Sequence, residues 1–458
     1  MNVLRKIGNL VAPPPQKAED GRDQWPSRTA YLLASCGGAV GMGNMLRYPS
    51  QVYNNNGLKW FVSYLMAVFL LAIPAMALEI AARNAYRGGT VVAHNSVSRR
   101  IKGIGFSLNY VGFVVVIYFS FANNLPWAGD TENWFMYEAV GAVDPDTSGR
   151  WVVYPGVSLN GRLVGWNAFT WFTVWLCMFR GVGLAGRAVY FTMGLPVIMG
   201  IILIGRGVSL PNASEGIKLY FSSWHSPKLA GTKIWRDAVG QVFFSTGVGF
   251  GYYTAYASYN RKFANAAQDA VIIVLFNSAF EALVAFAVFG IVGYLGMRPE
   301  ETDAHGAPIL LSQNKLISVL YYVAFYSGNQ LRHDLNSVIG NGNNWSLPFL
   351  WAPMLRYVSG PILAIIFSLA YPSFEEVKND PLYILGFIVA HLLLVWCVIG
   401  FIFPRWFNIF IIPERRDDWK QPYAPNVLGG TTEGEDATKA ETGMSSGDAS
   451  MSNKGVKA

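Results

Sequence analysis

The chain has 458 residues, of which 52% are hydrophobic, 15% aromatic and only 14% charged, more apolar surface than a soluble domain of this length buries. That balance marks a membrane protein. The formal net charge of +7 is divided among short segments between apolar runs, so no nucleic-acid partner is expected.

In chain order, residues 1–28 mix Pro13-Pro14-Pro15 with charges and lack an apolar core, which predicts a cytoplasmic N-terminal arm rather than a cleavable signal. Apolar runs near the ~20 residues a spanning helix needs follow at Thr29–Pro49, Trp60–Ala82, Ile104–Ala128, Leu163–Phe179, Ala188–Ile204, Val239–Ser258, Ala270–Met297, Pro348–Tyr371 and Leu382–Ile412, with a weaker one at Ile309–Tyr326. Residues 29–423 form the expected transmembrane domain. Residues 424–458, rich in Gly, Ser, Thr and Ala without apolar period, are the expected disordered cytoplasmic tail.

Lys and Arg concentrate in alternate connections, among them Arg83, Arg87, Arg99, Arg100 and Lys102, then Arg180 and Arg187, then Arg261 and Lys262. Asp130, Glu132, Glu138, Asp144 and Asp146 fall in an intervening one. This bias predicts an all-α, multi-pass integral membrane protein of about ten spans with both termini cytoplasmic, in the plasma membrane. Cys36, Cys177 and Cys397 lie in apolar runs, so no disulfide framework is indicated. Asn212-Ala213-Ser214 is a glycosylation sequon on the predicted outer side. His94, His225, His305, His333 and His391 are scattered without metal-ligand or nucleophile–base spacing, which disfavours an enzyme.

The first run contains its own interruption, Gly37-Gly38-Ala39-Val40-Gly41-Met42-Gly43-Asn44. A spanning helix satisfies its backbone internally, and irregular backbone at membrane depth is tolerated only beside a cavity or buried protein. Close packing through small residues is one reading. The other is a broken helix whose freed carbonyls and half-helix dipoles face an ionic ligand. The sixth run repeats the pattern with Gly247, Gly249 and Gly251, and paired interruptions in two five-helix repeats point to a transporter site.

At these residues the sequence resembles the neurotransmitter:sodium symporter family. The likeness is carried by "WPSRTAYLLASCGGAVGMGNMLRYP", "IPAMALE", the stretch from Gly186 to Thr192, "IGRGVSLPNASEGIKLYF", "KIWRDAVGQVFFSTGVGFGYYTAYASYN" and "FNSAFEALVAFAVFG", and resumes around Tyr326–Pro413. The resemblance implies a broken-helix inverted-repeat fold and sodium-coupled transport of amino acids or related small zwitterions by alternating access. It implies a first sodium site at the Ala39 carbonyl, Asn44, Ser245 and Asn277, all hard oxygen donors. A second sodium site would take the Gly37 and Val40 carbonyls, and the substrate would lie against Gly41 and Gly43 with Phe244 as lid and Phe250 lining the pocket.

Further correspondences bear on selectivity. Amine-transporting relatives carry aspartate where Gly41 stands, so glycine leaves room for a substrate carboxylate; the family's third-span tyrosine pair is Tyr118-Phe119 here, which removes a phenol at Phe119. Glu281 occupies a position that is serine in chloride-dependent relatives and acidic in chloride-independent ones, with Tyr64 and Gln241 as the other members of that pocket. Asn277 and Glu281 are i and i+4, hence on one helix face. Glu79 reads as a structural group holding the backbone of the first break. Arg47 is an external gate residue or an interfacial anchor, and Arg22 with Trp25 forms an internal gate or snorkels at the headgroups.

The family's eighth and ninth spans find no counterpart, so the second repeat is incomplete. Two functions therefore stand: the symporter, or a non-transporting binding or regulatory membrane protein that senses ligand, forms homo-oligomers or pairs with a full-length relative. Sodium, a small-molecule substrate and membrane lipid are the expected partners. No organic cofactor is expected.

Overall fold

The computed structural model describes residues 16–17, 23–41, 43–55, 57–86, 88–122, 161–221, 229, 231–261, 263–295, 328–339, 343–370, 381–411, 413 and 416. The Ile309–Tyr326 run, the 424–458 tail, Arg22 and the side chain of Phe119 lie outside them. Apart from a two-residue ladder pairing Gln16–Lys17 with Asp23–Gln24, the described regular elements are helical.

The first run is broken. Helix α1 (Arg28–Ala39) starts at an N-cap, where Ser27 Oγ accepts from Ala30 N at 3.0 Å, and stops at Val40, which is extended (φ −79°, ψ 115°). The chain resumes through a π-turn at Gly43–Arg47 into α2 (Tyr48–Asn54). Helices α3 (Leu58–Ala67) and α4 (Ile73–Tyr86) join through a π-turn at Val68–Ala72. Pro74 explains that turn: it supplies no N–H to the Leu70 carbonyl, which Ser359 Oγ instead reaches at 2.7 Å.

Helices α5 (Thr90–Val97), α6 (Lys102–Ala122), α7 (Gly161–Met178), α8 (Val182–Val208) and α9 (Ala213–Tyr220) follow. The sixth run is also split, into α10 (Thr232–Thr246) and α11 (Tyr252–Ala257). Then come α12 (Ala266–Leu295), α13 (Gly328–Ile339), α14 (Trp351–Met354), a π-turn at Leu355–Ser359, α15 (Gly360–Ala370) and α16 (Pro381–Ile402). The predicted last run does not continue straight to Ile412, because the chain turns by 105° after Ile402 into Pro404–Phe410.

Among the described residues, Lys59–Tyr86, Val182–Val208, Ala266–Leu295 and Trp351–Leu369 are long and apolar enough to cross a membrane, and the bent pair at α16 adds one more. The two interrupted runs fail that test because each consists of short helices. They pair across their breaks: α1 packs on α11, and α2 packs on α10. First half against second half means that the two broken helices run antiparallel with their breaks side by side, as an inverted repeat requires.

Helix α12 is the hub, touching α1, α2, α4, α8 and α9. Its approach to α8 and α9 is backbone on backbone: a Cβ at Gly207 would sit 2.7 Å from the Ala287 carbonyl oxygen. Burial follows position. The most apolar stretch of Lys59–Tyr86 is 61% buried and that of Val182–Val208 only 11%, so α3 and α4 lie in the protein interior while α8 is peripheral.

Candidate ion and substrate site between two broken helices

At the first break, Asn44 replaces a missing helix partner. Its Oδ1 accepts from the Gly41 N–H at 2.8 Å, and its own N–H donates to the Gly41 carbonyl at 3.1 Å. The Asn44 amide then donates to Asn277 Oδ1 at 2.7 Å, and the Asn277 amide donates to Ser245 Oγ at 2.6 Å. All three side chains are buried. The predicted ligands on three elements, the π-turn, α10 and α12, therefore meet in one line of neutral oxygens and amides. Such a donor set suits a hard monovalent cation, since carbonyl-type oxygens supply partial negative charge without a counter-charge that would need pairing. Ala39 is buried at the end of α1, five residues before Asn44 in the chain.

One turn along α12, the fully buried Glu281 has both oxygens engaged. Tyr64 O–H donates to Oε2, and Gln241 Nε2 donates to Oε1 at 2.8 Å. Tyr64 is positioned by aromatic packing, stacked on Trp60 (centroids 6.1 Å apart) and edge-on to Tyr48 (5.3 Å). Gln241 uses both ends of its amide: Arg47 Nη1 donates to its Oε1 at 2.5 Å, and its Nε2 also approaches the Gly43 carbonyl at 3.4 Å. Arg47 is thus part of the site, with its guanidinium 5.2 Å from the centroid of the Phe244 ring. Phe244 in turn lies on Gly43, where a Cβ would meet its Cε1 at 2.7 Å, while Gly41 has open space around it.

The second break is built differently. Gly247 (φ 64°), Gly249 (φ 101°) and Gly251 (φ 86°) take left-handed conformations that an L side chain rarely adopts. Glu79, expected at the first break, reaches the second: its Oε1 accepts from the Gly249 N–H at 3.0 Å. Burial between α4 and the unwound 247–251 segment explains the choice, since α4 packs on α11 and presents a strong acceptor to an N–H that has left the helix. Tyr252 and Tyr253 both donate their hydroxyls to the Thr246 carbonyl, at 3.1 and 2.7 Å. The Phe250 carbonyl faces Gly112 of α6, whose Cβ would be 2.9 Å away.

Gly37 and Val40 face a different space. They line a cavity of about 270 Å³ with Leu33, Ala34 and Gly38 of α1, Met193 of α8 and Tyr256 of α11. Trp25 is buried, its indole donating to the Tyr256 carbonyl at 2.8 Å and its N–H to the Tyr259 carbonyl at 3.0 Å, so it ties the start of α1 to the end of α11. Beside it, Arg28 donates to the buried Asp269 (Nε to Oδ1, 2.9 Å) and to Gln268 (2.7 Å). Neither the Arg28–Asp269 pair nor the two tyrosines are among the residues the sequence singles out; an acid at the start of an apolar run is the available signal for the first. Asn212 and Ser214 are exposed, with Asn212 in a left-handed conformation (φ 61°) ahead of α9.

A profile of the sodium:neurotransmitter symporter family matches residues 22–147 and 155–305. The chain belongs to that family. Among similar proteins, the sodium-dependent neutral amino acid transporter B(0)AT3 of Mus musculus is 30% identical over 311 residues, 60% of this chain and 49% of the relative. The sodium- and chloride-dependent GABA transporter 2 of Rattus norvegicus is 30% identical over 338 residues, 65% of this chain and 55% of the relative. The sodium-dependent serotonin transporter of Drosophila melanogaster is 31% identical over 314 residues, 60% and 50%. The chain spans about half the length of the curated relatives it matches. That family is one of transporters, not enzymes, and both breaks, the Asn44–Asn277–Ser245 line and Glu281 fall within the matched residues.

Proposed function

We propose that the chain is a sodium-coupled symporter of amino acids or related small zwitterions, working by alternating access and without chloride. The observation that carries this reading is the buried Asn44–Asn277–Ser245 line between two antiparallel broken helices, with the engaged carboxylate of Glu281 one turn away. Sodium would be held by the side-chain oxygens of those three residues together with the Ala39 carbonyl, all buried. The open space at Gly41 admits the substrate carboxylate, and Phe244 over Gly43 covers the other side.

Glu281 supplies the fixed negative charge that an anion would otherwise bring, and Arg47 balances it through Gln241. Release to the opposite side requires α1 to swing away from α11 and α12, which its ties through Trp25 and Arg28 hold closed.

The test is uptake of labelled neutral amino acids into proteoliposomes. An inward sodium gradient should drive uptake that persists when gluconate replaces chloride, and Glu281→Ser should make uptake chloride-dependent. Absence of sodium-driven uptake would refute symport; loss of wild-type uptake in gluconate would refute chloride independence. A second reading, a ligand-binding membrane protein without flux, is favoured by one observation: among the described residues the expected second sodium site consists of the Gly37 and Val40 carbonyls beside a cavity. Sodium-enhanced ligand binding without uptake would select it, as would co-purification of a full-length relative.

A further inference from the structure

The corner where α16 ends has two faces. After Ile402 the chain leaves the helix axis at 105° and forms the 3-10 segment Pro404–Phe410. One face is pinned. Phe407 and Ile411 are buried with Val91 in a small hydrophobic cluster separate from the main core, and Phe106 meets Phe407 edge-on at 5.6 Å. The buried Lys102 ammonium donates to Asn408 Oδ1, and Arg416 donates to the carbonyls of Asn408 (3.3 Å) and Ile411 (3.2 Å). The other face is bare: Trp406 is 67% exposed and Ile409 81%, with Phe403 stacked on Trp406 at 4.8 Å.

A segment that leaves an apolar 22-residue helix near a right angle lies along the membrane surface, and exposed Trp and Ile beside it enter the headgroup and acyl boundary. Among the described residues the charges at the same corner have one sign; Glu414, Asp417 and Asp418 follow in the sequence outside them. The 3-10 turn Arg99–Ile101 packs against both α16 and Pro404–Phe410, exposing Arg99 and Arg100, and Arg405 is exposed on the bent segment itself. Arg100 lies over the Phe401 ring at 5.4 Å, which holds its guanidinium beside the apolar face. Residues 88–122 and 381–411 contain neither Asp nor Glu.

We propose that this corner is a docking platform for anionic phospholipid, with Arg99, Arg100 and Arg405 taking the headgroup phosphate and Trp406, Ile409 and Phe410 taking the top of the acyl chains. Guanidinium suits this task because its planar donors engage phosphate oxygens in pairs. The exposed apolar wedge directs the assignment to a lipid rather than a soluble phosphate, which would use the charges alone. The platform uses none of the ion-site residues. It is nevertheless fixed to α6 through Lys102, and α6 reaches the second break at Leu108 and Gly112.

Native mass spectrometry of the full chain, released from mixed phosphatidylcholine and phosphatidylglycerol vesicles, reads the retained lipid directly. The wild type should retain phosphatidylglycerol in preference. With ~1 kcal/mol contributed by each basic residue near a lipid surface, the R99Q/R100Q/R405Q variant should lose about a hundredfold of that preference and each single variant about fivefold. Arg206→Gln, at the exposed end of α8, should retain it. Should the triple variant fail to fold, as read by its unfolding temperature in phosphatidylcholine, the single variants carry the test. Equal retention of the two lipids by the wild type, or unchanged preference in the variants, would overturn the platform. Displacement of phosphatidylglycerol by inorganic phosphate alone would overturn the lipid assignment.

Discussion

The two broken helices solve one problem by opposite means. At the first break a side chain does the work: Asn44 turns back to the Gly41 N–H, and the backbone needs no left-handed residue among the described positions. At the second, Gly247, Gly249 and Gly251 bend the chain into left-handed conformations, and the freed groups are met by Glu79 of α4 and by Tyr252 and Tyr253 from the start of α11. A break held by its own ligand residue is coupled to whatever that residue binds. On the proposed function Asn44 is also a sodium ligand, so the first break would respond to sodium while the second, held by glycine conformations, Glu79 and the α11 tyrosines, would serve as the frame.

That contrast predicts a graded series, measured by unfolding temperature in detergent with and without sodium. Glu79→Ala should be the most damaging, costing about 3 kcal/mol, because it strips a charged acceptor from the buried Gly249 N–H. Gly251→Ala should cost about 2 kcal/mol through its backbone conformation, since a Cβ at φ 86° is strained wherever it points. Tyr253→Phe should cost about 1 kcal/mol, the Thr246 carbonyl keeping the Tyr252 hydroxyl. Gly41→Ala should change stability by less than about 0.5 kcal/mol, having open space, yet lower substrate affinity by filling the carboxylate's room. If Gly41→Ala proved as destabilising as Gly251→Ala, the two breaks would share one mechanism and the comparison would fail. Stabilisation by sodium should survive Tyr253→Phe and vanish in Asn277→Ala.

Much of this site was legible in the sequence because its signals are local. Glycines at mid-run announce a break wherever a helix would otherwise continue, and Asn277 with Glu281 fall on one face by helical period alone. Glu79 was legible as a structural acid but not as the partner of the second break, since its choice depends on how α4 packs against α11. Arg28 and Asp269 are 241 residues apart in sequence, and no period links them. The bend after Ile402 was hidden for another reason: Trp406, Phe407, Ile409, Phe410 and Ile411 prolong the apolar run past Pro404 and Arg405, the two residues that signal its end.

The sequence by itself determined that the chain lives in a membrane, where its helices break, and which family its motifs resemble, because apolar content and glycine placement act through the backbone of each segment alone. Only the tertiary structure decided that the breaks lie side by side in antiparallel helices. It also decided that Arg47 reaches Glu281 through Gln241, and that the end of α16 turns a bare apolar face outward beside three arginines. Those facts depend on which segment buries which, and packing between distant segments leaves no periodic trace in either one.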